Sequence, residues 1–453
     1  MQSQLAERVR IQVEDEFFSV EKAVLVEHSE YFRALFQSGM RESTQKEIQI
    51  RELTATGFLI MLKILRGEYP LLSCEENLRA VECAAFLQVK SLAKFLICSL
   101  NSDNCILLYQ AAAMFGLLDL FRSAALYIRD SYSDLEEYLD CLSPELLDYV
   151  ESLIPSTFAA VGAHTPTFEF LEDLSRTICY LEETSNTWRT LSCLPLSAST
   201  FLAGTTTLDN KIYIVGGVYG YNKQVVDQSF CYDVATNSWS EFPGPQQLRY
   251  DITLTAQEGY LYAIGGEFEK TSLKSVEKYD MSTNTWSFVS DLPQPAAAVP
   301  CAQAMGRIFV CLWKPLDTTM IYEYEPQKDE WLPISTLNRM QSYGHSMVAH
   351  RDNLYIMRNG PFDDFLRCVM DCFNLTTRQW TSMPGQYMNS KGALFTAVIR
   401  GDTVYTVNKM LTLLYTIEDN TWKFKKERAG FPRSGSLQTF LLRLPRTDHS
   451  IAT

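Results

Sequence analysis

Tyr232-Asp-Val-Ala-Thr-Asn-Ser-Trp239 reads as two short strands around a tight turn. An aromatic residue stands on one strand, turn formers fill the middle, and a tryptophan stands on the other. The pattern returns as Tyr180–Trp188, Tyr279–Trp286, Tyr324–Trp331, Phe373–Trp380 and Tyr415–Trp422. Successive tryptophans are 51, 47, 45, 49 and 42 residues apart. A period of that length marks a repeat architecture with one supersecondary unit per repeat.

A second signature precedes five of the pairs: a turn, an aliphatic residue and an aromatic one. It is seen in Asp209-Asn-Lys-Ile-Tyr213, Glu258-Gly-Tyr-Leu-Tyr262, Met305-Gly-Arg-Ile-Phe309, Asp352-Asn-Leu-Tyr355 and Gly401-Asp-Thr-Val-Tyr405. An apolar run lies before each, such as Thr396-Ala-Val-Ile399. Each repeat therefore offers four strands, one blade of a β-propeller. The repeats resemble kelch repeats, whose diglycine appears as Gly216-Gly217 and Gly265-Gly266. Glycine is expected there because the strand end packs tightly against its neighbour and adopts positive φ. Later repeats hold Leu312-Trp313, Arg358-Asn359 and Asn408-Lys409 instead, so distorted later blades are expected.

The count is six. Before the first pair only Thr167–Leu171 offers a strand, while Ser436-Leu-Gln-Thr-Phe-Leu-Leu-Arg-Leu444 follows the last tryptophan unmatched. The C-terminal strand is expected to complete the first blade and close the ring, removing open sheet edges.

Upstream, residues 9–20 alternate apolar and polar around an acidic turn, a hairpin pattern. Helical periodicity follows through Val24, Leu25, Tyr31, Phe32, Leu35 and Phe36, with Ser29 as N-cap. A short strand at 47–51 and helices at 56–65, 75–87 and 91–100 complete the first hundred residues. The strings Leu25-Val-Glu-His-Ser-Glu-Tyr-Phe-Arg-Ala-Leu-Phe36, Met40-Arg-Glu42 and Ala80-Val-Glu-Cys-Ala-Ala-Phe-Leu-Gln88 resemble the BTB domain. Two departures stand out: Arg8-Val9-Arg10 where many BTB domains carry an Asp, and Glu21-Lys22 where they carry a His. Two amphipathic helices around Gly116, then weaker helices at 135–142 and 145–153, resemble a shortened BACK domain ending near Pro155. The expected organisation is a BTB domain over 7–103 and a truncated BACK-like segment over 104–155. A linker over 156–166 and a six-bladed propeller over 167–446 follow.

This order resembles the BTB–BACK–kelch adaptors of Cullin-3 ubiquitin ligases. The resemblance implies homodimerisation through BTB. It also implies docking of Cullin-3 through Met40, Arg41 and Glu42, with Phe36 and Tyr109 beside them. The propeller mouth would then capture a protein substrate, with actin-related or sarcomeric muscle proteins as candidates. The alternative is a non-ligase cytoskeletal scaffold that binds such proteins without ubiquitination. Function is expected in the loops at one end of the ring. The residues singled out are Tyr219, Arg249, Tyr250, Phe268, Tyr343, His345, Phe362, Asn389 and Lys391, with Tyr and Arg the types that dominate hot spots. The aromatic–tryptophan pairs themselves read as spacers between blades, not as a ligand cage.

Composition excludes other classes. The chain of 453 residues carries a net charge of −14. Residues 1–165 hold 14 basic against 24 acidic side chains and the remainder 26 against 30, so neither part has the basic footprint of a nucleic-acid binder. That balance, with no zinc-finger spacing, sets a transcriptional role aside. Twelve cysteines without a C-x-x-C read as reduced thiols of a cytoplasmic protein; Cys368 and Cys372 share one face of a strand. The chain's start shows no charged stretch followed by an apolar one, so no secretory leader is expected, and no apolar run reaches membrane-spanning length. Of five histidines, His345 and His350 straddle a strand at odd spacing and point to opposite faces, which argues against a shared metal. No nucleophile elbow, P-loop or dinucleotide fingerprint occurs, so a non-catalytic protein without cofactor or metal is expected.

Overall fold

Alternation of Val9, Ile11 and Val13 with Arg8, Arg10 and Gln12 makes β1 (Arg8–Val13), which turns back at Glu14, φ 51°, into β2 (Glu16–Glu21). β3 (Glu47–Ile50) joins the other edge of β1 in parallel. In this computed structural model the described residues are 7–39, 45, 47–164, 175–199, 201–219, 224–314, 318–338, 346–359, 367–383, 387–388, 396–407, 411–417, 419–426, 430–432 and 434–445. The chain divides into two units, Met1–Leu153 and Ile154–Thr453.

The first unit wraps helices around that small sheet: α1 (Lys22–His28), α2 (Glu30–Gln37), α3 (Ala55–Leu65), α4 (Cys74–Phe86) and α5 (Lys90–Cys98). Their starts are chemically specified. Ser29 Oγ accepts from Phe32 N at 3.2 Å and donates to Leu87 O at 2.6 Å, so one hydroxyl caps α2 and ties it to the end of α4. Thr54 caps α3, and Ser73 with Glu76 forms a reciprocal capping box on α4. The core buries Ile11, Phe32, Phe58, Leu92 and Leu96 completely, each side chain contributing roughly 1.5–3 kcal/mol. α6 (Cys105–Phe115) ends at Gly116, φ 72°, and α7 (Leu118–Asp130) follows. The stretch expected as a weak helix is instead a single turn, α8 (Tyr132–Leu135), and a 3₁₀ helix over Glu136–Cys141. Ser143 and Pro144 then start α9 (Pro144–Ser152).

The second unit is built of six antiparallel sheets, each in the strand order given. The first is β32 (Ser434–Leu442), β4 (Thr157–His164), β5 (Ser175–Glu182) and β6 (Thr187–Cys193). The second is β7 (Gly204–Leu208), β8 (Lys211–Val215), β11 (Gln228–Asp233) and β12 (Ser238–Pro243), with the hairpin β9 (Val218–Tyr219) and β10 (Gln224–Val225) beyond β8. In the third, β13 (Thr253–Gln257), β14 (Tyr260–Ile264), β17 (Val276–Asp280) and β18 (Thr285–Val289) carry the hairpin β15 (Glu267–Phe268) and β16 (Thr271–Ser272). The fourth is β19 (Cys301–Ala304), β20 (Arg307–Lys314), β21 (Thr318–Glu325) and β22 (Glu330–Asn338). The fifth is β23 (Ser346–His350), β24 (Asn353–Asn359), β25 (Arg367–Asn374) and β26 (Trp380–Ser382), with β27 (Tyr387–Met388) also on β25. The sixth is β28 (Thr396–Arg400), β29 (Thr403–Val407), β30 (Leu411–Thr416) and β31 (Thr421–Lys426).

Two sequence expectations are corrected. Residues 157–164 are not a linker but β4, buried along nearly its whole length between β32 and β5. Phe158-Ala-Ala-Val-Gly-Ala163 looks loop-like because its side chains are small, and small side chains are what a strand covered on both faces accommodates. The stretch Thr167–Leu171, expected as the strand, lies outside the described residues. In the first aromatic pair, Trp188 faces Leu181, and Tyr180 faces Arg189, because Tyr180 and Trp188 are eight residues apart around the turn where the other pairs are seven apart. In the other five repeats the aromatic and the tryptophan are direct cross-strand partners.

The repeat has a hydrogen-bond logic. Tyr232, Tyr279 and Tyr324 donate their hydroxyls to Asn237, Asn284 and Asp329, five residues on, at 2.5–2.7 Å, and Tyr415 does the same to Asn420. Each acceptor sits at φ 50–56°, the left-handed conformation that Asn and Asp tolerate. Phe373 has no hydroxyl, and Arg378 takes the left-handed position in that sheet. Four of the six tryptophans donate back to the preceding sheet: Trp239 Nε1 to Ser192 Oγ (3.0 Å), Trp286 to Pro243 O (2.7 Å), Trp331 to Ser290 O (2.9 Å) and Trp380 to Ser335 Oγ (2.8 Å). These rings are spacers between sheets.

The diglycines are sterically required. Gly216 has φ 62° and a Cβ there would lie 2.6 Å from Arg249 O; Gly265 has φ 58° and its Cβ would lie 2.2 Å from Ala296 O. In the fourth and fifth sheets, where the glycines are missing, the second strand continues, while Asn408-Lys409 lies outside the described residues. Leu312 and Trp313 stay in register with Met320 and Thr319, and Arg358 with Val369. The first strands of consecutive sheets lie against one another, β7 on β13, β13 on β19, β19 on β23, β23 on β28, β28 on β32, and β32 on β7.

Candidate functional site

In each antiparallel sheet the strand alternation sends two kinds of loop to the same end. These are the loops after the second strand and those leading from the fourth strand into the next sheet. That end carries Leu196 (86% exposed), Tyr219 (53%), Trp313 (44%), Phe201 (38%) and Leu248 (38%). The opposite end is formed of the polar turns around Asn210, Asn237, Gly259, Asn284 and Asn420. The other two exposed large hydrophobics described in this unit, Phe288 and Leu332, lie on fourth strands. Exposed apolar area is thus concentrated at one end, as at an interaction surface.

Hydrogen bonds join these loops. Val218 N donates to Phe201 O (2.9 Å), Asp251 N to Leu202 O (2.6 Å), Ala298 N to Asp251 O (2.9 Å), and Gln294 Nε2 to Trp313 O (2.7 Å). The rim is therefore a set of braced loops. At Asp251, burial raises the carboxyl above its ordinary range, assisted by the negative charge of Glu267.

The sequence-selected residues divide into three groups. Tyr219 stands exposed on the rim, and Phe268 is half-buried in the β15–β16 hairpin. Arg249 and Tyr250 are corrected: both are buried and hold the rim up from beneath. Arg249 donates to Gly265 O, to Ser275 O and to Glu277 Oε1, and burial pulls its guanidinium pKa down against the opposing pull of Glu277. Tyr250 pairs through its backbone with Glu267 and accepts from Lys270 N at 3.3 Å. A lead-in loop rich in Arg and Tyr looks like a hot spot in sequence, yet here the same chemistry satisfies carbonyls under a diglycine. Tyr343, His345, Phe362, Asn389 and Lys391 lie outside the described residues. Leu196, Phe201, Leu248 and Trp313 were missed. The available signal was an aliphatic or aromatic residue in loops where turn formers are expected.

On the first unit, Phe36 is half-buried, stacked on Phe32 at 6.0 Å with Lys22 Nζ 4.8 Å from its centroid. Met40, Arg41 and Glu42 lie outside the described residues. Tyr109 is corrected. It is fully buried, stacked on Phe121 at 4.8 Å, and donates to Leu146 O at 2.9 Å, so it locks α6 to α9 and presents nothing to a partner. Burial pushes its phenol up to about 12.

Chemistry-bearing clusters are sparse. His164, read from sequence as a linker residue, lies on β4 with Nε2 2.8 Å from Thr177 Oγ1 and 3.4 Å from Cys179 Sγ. Burial pushes the thiol up and the imidazole down, which disfavours a thiolate–imidazolium pair. His350 Nε2 lies 2.6 Å from Asp402 Oδ1 between the fifth and sixth sheets. Among the described residues no three His, Cys, Asp or Glu side chains converge as metal ligands, and no helix is long and apolar enough to cross a membrane.

A helix-wrapped three-stranded sheet followed by four-stranded repeats with an apolar rim describes a protein-interaction module pair. The chain belongs to the BTB–kelch family. The BTB/POZ domain model matches residues 2–104 and the KLHDC2/KLHL20/DRC7 Kelch-repeats domain model residues 202–408. The chain is 59% identical over 438 residues to Kelch repeat and BTB domain-containing protein 13 of Homo sapiens, covering 96% of this chain and 95% of that protein. Its Mus musculus counterpart is 60% identical over the same shares. Kelch-like protein 42 of Mus musculus is 28% identical, with 91% of each chain covered. Members of the family are generally non-catalytic adaptors.

Proposed function

We propose that this protein is a substrate-recognition adaptor of a Cullin-3 RING ubiquitin ligase, acting in the cytoplasm. BTB–kelch proteins are commonly Cullin-3 adaptors, and that family role supports the reading. The first unit dimerises and docks Cullin-3 through Met40, Glu42 and the neighbouring Phe36 end of α2. The BACK-like helices α6 to α9 extend that module. The six sheets act as blades of a closed propeller. Its support is the pairing of β32 with β4 and the contact of β32 with both β28 and β7.

The observation that carries the reading is the concentration of Leu196, Phe201, Tyr219, Leu248 and Trp313 at one end of the second unit. That end captures the substrate protein. The adaptor supplies proximity, holding a substrate lysine near the ubiquitin-charged enzyme brought by Cullin-3. Two mouths per dimer raise the effective concentration for a bivalent target. The test is co-purification of the full chain with Cullin-3. Met40→Ala with Glu42→Ala should abolish Cullin-3 recovery while the chain remains a dimer by light scattering. Undiminished recovery would refute the assigned docking site, and a monomeric wild-type chain would refute the assigned dimer.

A further inference from the structure

The rim where the first and second sheets meet holds a guanidinium that meets no carboxylate among the described residues. Arg176, the second residue of β5, is half-buried. Its Nη2 donates to Leu196 O at 2.9 Å and its Nη1 to Ala198 O, and its Cζ lies 5.7 Å from the centroid of the Tyr219 ring. A guanidinium has five N–H donors, so three remain. Arg249, Arg307, Arg358 and Arg400, the arginines drawn deepest into this unit, each meet a carboxylate: Glu277, Glu323, Asp371 and Glu183. Among the described residues Arg176 meets none. Burial pulls its pKa down, and Tyr219 opposes the shift.

Apolar residues flank this cation. Leu196 belongs to the loop whose carbonyls Arg176 holds, Tyr219 lies against the guanidinium, and Phe201 accepts through its carbonyl from the N–H of Val218, the residue before Tyr219. We propose that this corner of the rim takes an acidic segment of a partner protein, with a carboxylate side chain placed next to an apolar one. The carboxylate accepts from the free N–H groups of Arg176. The apolar side chain lies on Leu196, Phe201 and the Tyr219 ring. A charge-assisted bond in a half-buried site is stronger than one in open water. A basic segment would set like charges together and is rejected. A polyanion such as nucleic acid is disfavoured, because the balance over residues 166–453 is −4.

The inference rests on the mouth reading above and adds the class of partner. It is tested on the full chain by fluorescence anisotropy with three labelled decapeptides of equal apolar content, bearing Glu, Gln or Lys between leucines. The Glu peptide should bind about tenfold tighter than the Gln peptide, the Lys peptide weakest, and added salt should shrink the difference. Arg176→Gln should erase the tenfold preference yet keep the weak binding of the Gln peptide. Arg176→Lys, which keeps the charge, should retain part of the preference and guards against a folding defect in the first variant. Leu196→Ser, at a position 86% exposed and remote from the core, should weaken the Glu and Gln peptides alike. Equal binding of all three peptides, no binding of any, or a preference that survives Arg176→Gln would overturn the acidic class. If Leu196→Ser and Tyr219→Ala change no peptide's affinity, the mouth reading itself falls. If they weaken binding while Arg176→Gln is silent, only the acidic preference falls.

Discussion

Arg249 Nη2 lies 2.6 Å from Glu277 Oε1, and both side chains are fully shut off from solvent. The carboxylate also accepts from Gln246 N and Gln247 N, so the pair pins the loop entering β13 to the third strand of the same sheet. Two residues before its aromatic, the fifth sheet holds Asp371 where the third holds Glu277. There the guanidinium comes from Arg358, which occupies a diglycine position and reaches Asp371 Oδ2 at 3.2 Å. One buried carboxylate is thus neutralised from two different directions. Arg249→Ala should cost about 3–5 kcal/mol, because it strands a buried anion. Replacing both by Met and Leu should recover only part, since Gly265 O and Ser275 O lose their donor. Urea unfolding of wild type, Arg249→Met, Glu277→Leu and the double variant measures the coupling.

Glycine at position 265 is under two constraints, positive φ and the carbonyl of Ala296. Gly259, φ 83°, has the first constraint without the second, as nothing lies within 4 Å of its Cβ direction. Gly259→Ala should therefore cost about 1 kcal/mol, the conformational term alone. Gly265→Ala should cost well over 2 kcal/mol, because backbone must move to admit the methyl group. Equal losses in thermal unfolding would mean that the close approach is relieved without strain.

Residue chemistry made much of this legible. Period, turn formers and caps are local, so Ser29, Gly116, the β1–β2 hairpin and the Tyr–Asn–Trp turns could be read directly. The diglycine requirement was also visible, but the response to its loss was not. Continuation of β20 and β24 through Leu312-Trp313 and Arg358-Asn359 depends on cross-strand partners that the local string does not name. β4 escaped notice because buried small residues and loop residues share a composition. The site was the least legible part. Arg249, Tyr250 and Tyr109 have hot-spot chemistry, and only tertiary placement reveals that it is spent on internal carbonyls and amides. Leu196 and Phe201 carry no motif at all; exposure alone marks them.

The capping box of α4 gives a signed pH dependence. Ser73 N donates to Glu76 Oε2 at 2.8 Å, and Glu76 N to Ser73 Oγ at 3.3 Å. The backbone bond from Ser73 and then its hydroxyl hold the Glu76 carboxyl below its ordinary 4.5. A carboxyl with a depressed folded-state pKa stabilises fully above its unfolded value, and that contribution fades as pH falls through the folded value. The stability difference between wild type and Glu76→Ala should be constant from pH 8 to about pH 5 and shrink below 4.5. Ser73→Ala should cost about 1 kcal/mol at neutral pH, the usual loss of an N-cap hydroxyl. A wild-type advantage that grows on acidification would contradict the assignment.

The first sheet depends on a strand delivered from the far end of the chain. β32 pairs with β4 from Gln438 to Leu442, Thr439 meets Thr396 of the sixth sheet at 3.1 Å, and Arg443 N donates to Asn210 Oδ1 of the second at 2.8 Å while Asn210 Nδ2 donates to Arg443 O. One strand therefore joins three sheets. Without it, β4 becomes an exposed edge lined by Phe158 and Val161, and β7 and β28 lose the strand between them. Deleting residues 434–453 should then do more than remove local contacts. An uncovered apolar edge is a template for intermolecular pairing, so the shortened chain should form soluble aggregates by size-exclusion chromatography and unfold without a cooperative transition. Asn210→Ala is the milder companion; it removes both side-chain bonds to Arg443 and should cost about 1–2 kcal/mol with cooperativity kept. A monomeric, cooperatively folding deletion protein would show that the sheets stand without the terminal strand, and the proposed ring closure would have to be abandoned.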